Sequence, residues 1–66
     1  MGKNLKLKAA RVLKGMTQND LAQAVNVTRQ TIVAVESGNY NPTISLCVDI
    51  CKVLDVTLND LFWEEE

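Results

Sequence analysis

Between Thr17 and Gly38 the chain reads TQNDLAQAVNVTRQTIVAVESG, two short amphipathic stretches separated by four residues, each opened by a threonine. This segment restricts the fold more than any other. Thr17 with Asp20 three residues on is a capping-box pattern, so a helix starts there. Leu21, Ala22 and Val25 fall on one face of it. The pattern breaks around Asn26, and Thr28 then caps a second helix in which Ile32 and Val35, three apart, share a buried face. Thr28, Arg29, Gln30, Val33 and Ala34 are left pointing largely away from the core. Two helices crossing at a tight turn form the arrangement that lays one helix into the major groove of DNA.

The rest of the chain extends this to five helices, over about 5–14, 17–25, 28–36, 43–54 and 57–62. Leu7, Ala10 and Leu13 stand at helical spacing in the first, and Gly15 closes it in the left-handed conformation. Gly38 ends the third. Asn39-Tyr40-Asn41-Pro42 is a turn, Thr43 caps the fourth helix, and Thr57 with Asp60 repeats the capping box for a short fifth. Glu64-Glu65-Glu66 is an acidic tail expected to fray. No segment reads as a central strand, so the fold class is all-α. Sixty-six residues make a single domain over 1–66, and one core of that size supplies about 3–5 kcal/mol of stability, so self-association would help. No apolar run is long enough to span a bilayer, and MGKNLKLKAARV lacks a signal-peptide core. The chain is expected to be complete and cytoplasmic, with no membrane partner.

Gln18, the pair Leu21-Ala22, Val27, the run Thr28-Arg29-Gln30-Thr31-Ile32 and Glu36-Ser37-Gly38 resemble the phage-repressor and Cro type of helix-turn-helix, also called the xenobiotic-response-element (XRE) family. Asn39 to Thr43 and Leu58 to Phe62 continue the likeness over roughly residues 4 to 62. The resemblance implies a lambda-repressor-like five-helix domain that binds double-stranded DNA at a specific sequence and regulates transcription as a repressor. Asn26 stands where the family usually has Gly at the tight turn. Asn is the next most tolerant residue of positive φ, so the turn survives at a modest cost.

Net charge is only −1, but its distribution suits an anionic partner. Residues 1–40 hold Lys3, Lys6, Lys8, Arg11, Lys14 and Arg29 against Asp20 and Glu36, a net +4, while residues 41–66 hold Lys52 against six carboxylates, a net −5. The basic half carries the motif. At the exposed start of the second motif helix, Arg29 matches the two acceptors of guanine and Gln30 the acceptor-donor pair of adenine. Thr31, Val33 and Ala34 offer apolar contacts to thymine methyls. The resemblance adds Thr17, Gln18, Thr28, Asn39 and Tyr40 as phosphate contacts. Capping alone also accounts for Thr17 and Thr28, and Tyr40 has the alternative of packing over Pro42. It also implies an ion pair between Arg11 and Glu36 that joins the first helix to the end of the third.

Cys47 and Cys51 lie four apart on the fourth helix. A zinc site needs further Cys or His, and the chain has no His, so they read as small core hydrophobes and neither metal nor cofactor is expected. Ile44, Leu46, Cys47, Val48, Ile50, Cys51, Val53 and Leu54 give that helix more apolar surface than one small core is expected to cover. Phe62 and Trp63 add to it. A homodimer through helix four, helix five or both, with Phe62 and Trp63 at the interface, accounts for the surplus, the alternative being that Trp63 folds back on its own core. A symmetric dimer sets two recognition helices about 34 Å apart, as a palindromic operator requires. A protein-interaction module resembling an antitoxin is the other functional class. An enzyme is not expected, because no acid, base or activated nucleophile is identifiable.

Overall fold

The computed structural model describes residues 4–62, and among them five helices and no strand: α1 (Leu5–Leu13), α2 (Gln18–Ala24), α3 (Arg29–Ser37), α4 (Ile44–Leu54) and α5 (Leu58–Leu61). The all-α expectation holds. Helix ends differ from the expected ones mostly by a residue, because the capping threonines stand just outside the helices they open. Each helix start uses the same device, a side-chain oxygen accepting the N–H three residues on. Thr17, Thr28, Thr43 and Thr57 cap α2 to α5 in this way, with the full capping box at Thr17/Asp20 and Thr57/Asp60. Asn4 caps α1 through Leu7 N–H at 3.0 Å, a role the sequence reading did not single out.

Helix ends are equally uniform. Gly15, Asn26, Gly38 and Asp55 all adopt positive φ, at 70°, 64°, 84° and 60°. After each, the next N–H returns to the last turn: Met16 to Arg11, Val27 to Ala22, Asn39 to Ala34 and Val56 to Cys51, at 2.9 to 3.1 Å. This paired closure satisfies carbonyls that a helix end otherwise leaves open. A Cβ at Gly15 would meet nothing within 4 Å, so its φ alone constrains that position. Asn26 keeps the α2–α3 turn tight without glycine.

Leu7, Leu21, Ile32, Ile50 and Leu54 are the largest fully buried side chains, and with Ala22, Val25, Val35, Cys51 and Leu61 they form one core. α2 packs on α3, and α4 packs on both α2 and α5. Two expectations are corrected. Leu13 is not on the core face of α1: it is 87% exposed, and Leu7 and Arg11 point inward with Ala10 beside them. Two successive steps of three residues, at roughly 100° per residue, leave Leu13 about 120° around the helix from Leu7, so the spacing does not hold one face. Nor does α4 carry a large uncovered stripe. Leu46, Cys47, Ile50, Cys51 and Leu54 are buried and Val48 and Val53 half-buried, because α2 and α5 bracket the helix, which leaves Ile44 open. Phe62 packs partly against the core; Trp63 and the acidic tail lie outside the described residues.

Candidate nucleic-acid interface

The start of α3 is built by Thr28, whose backbone is extended and whose Oγ1 accepts the Thr31 N–H at 3.3 Å. Arg29 and Gln30 follow in the first turn and are both exposed. The Thr31 hydroxyl stands 3.1 Å from that of Thr28, which turns its polar end toward the cap. Thr31, Val33 and Ala34 are half-buried. The five expected base-readers therefore divide into two projecting polar side chains and three lower, mostly apolar ones.

The far end of α3 is fixed by a buried charge network. Arg11 Nε donates to Glu36 Oε2 at 2.7 Å, and the two side chains are 9% and 7% exposed. Arg11 Nη2 reaches Glu36 Oε1 at 3.3 Å and Nη1 donates to the Met16 carbonyl at 2.8 Å. Gln18 Nε2 also donates to Glu36 Oε1, at 3.2 Å. No buried side-chain N or O among the described residues lacks a partner, so the network meets the condition under which burying charge is tolerable. The backbone adds Asn4 N–H to the Glu36 carbonyl at 2.8 Å. The network ties α1, the α1–α2 turn, α2 and α3 into one unit.

Gln18 also connects this network to the exposed site. While its amide nitrogen holds Glu36, its Oε1 accepts from Arg29 Nη2 at 3.4 Å, a long contact that sets the amide orientation. Sequence reasoning placed Gln18 only among the phosphate contacts and missed this bridge, which no periodicity or motif announces. The other expected phosphate contacts are scattered more openly. Thr17 is exposed; its Oγ1 accepts from Asp20 N–H at 3.0 Å, leaving its own proton for an outside acceptor. Thr28 and Asn39 are exposed, and Tyr40 is 45% exposed. Thr17, Gln18, Thr28 and Arg29 stand at the adjacent starts of α2 and α3, whereas Asn39 and Tyr40 follow α3.

One acidic group sits among them. Asp20 accepts the Thr17 N–H at 3.0 Å, and this backbone bond, with the Thr17 hydroxyl, holds its carboxyl below the ordinary 3.8. It stays charged at neutral pH and opposes a phosphate placed directly on the α2 start. Burial pushes the thiols of Cys47 and Cys51 up, keeping both protonated, and neither is in a disulfide. Among the described residues no group of three or more potential ligands is arranged to hold a metal, and no helix is long and apolar enough to cross a membrane.

Comparison with known proteins matches residues 7–61 to the family model described as Helix-turn-helix. An HTH-type transcriptional regulator of Bacillus subtilis is 43% identical over 61 residues, covering 92% of each chain. One from Methanocaldococcus jannaschii is 44% identical over 61 residues, again covering 92% of each. Among solved structures, the restriction-modification controller protein C.AhdI from Aeromonas hydrophila superposes with a TM-score of 0.83 at 27% identity, covering 89% of both chains. The clp gene regulator ClgR from Corynebacterium glutamicum gives 0.81 at 26% identity, over 86% of this chain and 61% of its own.

Proposed function

The chain belongs to the helix-turn-helix family, and from that premise we propose that it represses transcription as a homodimer bound to a palindromic operator in double-stranded DNA. A transcriptional regulator with a helix-turn-helix DNA-binding domain is not an enzyme class. The observation that carries the reading is the pairing of exposure and rigidity along α3: Arg29 and Gln30 project into solvent at one end, while Glu36 is locked to Arg11 at the other. A base-reading side chain must be accessible, and the helix beneath it must be held in place.

In this reading Arg29 takes guanine and Gln30 adenine, each bidentate contact contributing about 1–3 kcal/mol of discrimination. Thr31, Val33 and Ala34 meet thymine methyls beneath them. Thr17, Gln18, Thr28, Asn39 and Tyr40 take phosphates and set the register without reading sequence. The second copy meets the first through the α5 end, with Phe62 and Trp63 at the contact, and the protein acts in the cytoplasm. Selection of bound fragments from a random DNA pool tests the specific, palindromic DNA recognition in this reading. The expected result is one enriched palindrome, bound with an affinity that falls linearly in log–log form with salt, at a slope of about −0.9 per phosphate neutralised. An unenriched pool at low salt would overturn the proposal.

A further inference from the structure

α1 turns a second apolar face to solvent, opposite the one that enters the core. Leu5, Val12 and Leu13 are 65%, 57% and 87% exposed, and Ala9 is exposed among them. At 3.6 residues per turn these four fall within an arc of about 100°, on the far side of the helix from the buried Leu7 and Arg11. Lys8 borders one edge and Lys6 the other, both exposed, and α1 holds no acidic residue. The face is held rigidly, away from the base-reading end of α3. Arg11 ties α1 to Glu36, and the Asn4 N–H bonds the Glu36 carbonyl at 2.8 Å, so α1 starts beside the last turn of α3, about 10 Å along that helix from Arg29.

Three kinds of occupant meet such a face differently. A second copy sets lysines against lysines, and three large side chains and a methyl cover far less than the roughly 800 Å² per partner of a stable dimer. An anionic bilayer is held by a broad basic field and by bulky aromatic anchors, whereas here two lysines flank a stripe with no aromatic member, on a chain of net charge −1. A helix with leucines at three- and four-residue spacing and glutamates along their edges satisfies both the apolar stripe and its basic borders. Its leucines pack along Leu5, Val12 and Leu13, its carboxylates pair with Lys6 and Lys8, and the small Ala9 lets the two helices approach closely. We propose that the outer face of α1 is a docking surface for an acidic amphipathic helix of another protein. The small area makes the contact a transient one. It shares no residue with the expected DNA contacts, so partner and DNA do not compete, and the two readings fail separately.

The probe is a fluorescein-labelled peptide of about 15 residues, long enough to form a helix, with leucines at helical spacing and glutamates beside them in an alanine background. Titration with the full chain, without DNA, is followed by fluorescence anisotropy. Saturable binding is expected, and a peptide of the same composition with its leucine spacing scrambled binds more weakly. Leu5→Ser with Leu13→Ser weakens binding of the probe by about tenfold or more, while the helical circular-dichroism signal stays, since both positions are exposed. Lys6→Glu with Lys8→Glu reverses the charge preference, so that a peptide with lysines in place of the glutamates becomes the tighter ligand. Four results overturn the proposal: a probe bound no better than its scrambled form, binding that survives the serine pair, a native dimer that the serine pair dissociates in sedimentation, or binding to phosphatidylglycerol vesicles that the serine pair abolishes.

Discussion

Glu36→Gln removes one charge from the buried network while keeping its shape, and leaves the Arg11 guanidinium as a cation 9% exposed with no counter-charge. Breaking a buried pair costs roughly 3–5 kcal/mol, against at most about 1 kcal/mol for an exposed one. Burial of both side chains puts this pair in the first class. The amide oxygen of the variant still accepts from Arg11, and the Met16 carbonyl still takes Nη1, so the lower end, about 3 kcal/mol, is expected. A single core of this size holds about 3–5 kcal/mol in all, so the variant loses most of its stability. Urea unfolding followed by circular dichroism and extrapolated linearly to water measures the loss. Arg11→Met with Glu36→Leu removes both charges and is expected to be no less stable than Glu36→Gln alone. A Glu36→Gln cost below about 1 kcal/mol, or a double variant as costly as its singles combined, would refute the assignment of this pair as the strut of α3.

Arg29→Ala with Gln30→Ala should abolish enrichment of any one sequence in the DNA selection while the urea midpoint stays unchanged, because both side chains are exposed. Asn26→Gly should keep the α2–α3 turn and raise stability slightly, whereas Asn26→Val at φ 64° should cost about 1–2 kcal/mol in the same urea assay. Asp20 and Asp60 are both held below 3.8 by their capping threonines, so each binds its proton more weakly folded than unfolded. Their contribution is full above pH 3.8 and is lost as pH falls through the lower folded values, and Asp20→Asn with Asp60→Asn should flatten that part of an acid-unfolding curve. Labelling of Cys47 and Cys51 by a thiol reagent should follow unfolding, since burial keeps the thiols protonated and covered, and fast labelling of the native protein would contradict that placement.

Local chemistry was the legible part of this fold. Four threonines announce four helix starts, and Gly15 and Gly38 announce two ends, because each device acts within three or four residues. Asn4 carries the same signal and was overlooked. Asp55 carries a weaker one, since a left-handed aspartate at a helix end has no sequence mark to set it apart from a surface charge. Packing was read less well. A list of apolar residues on α4 says nothing of how many neighbours will share them, and a three-residue spacing repeated twice no longer describes one face, as Leu13 demonstrates. The exposed position of Arg29 and Gln30 followed from Ile32 and Val35 taking the buried side. The Gln18 bridge joins residues 18 and 11 positions away, and separations of that size leave no periodic trace.

Gln18 imposes a constraint on how this domain can diverge. Its amide hydrogen-bonds to the buried Glu36 on one side and to the projecting Arg29 on the other, so a new residue at position 18 disturbs foundation and reader together. A new residue at position 29 leaves the amide oxygen seeking another donor. Gln30, Val33 and Ala34 have no such tie to the Arg11–Glu36 network among the described residues. Retargeting to a different operator is therefore cheapest at those three positions, with 18 and 29 changed as a pair or kept.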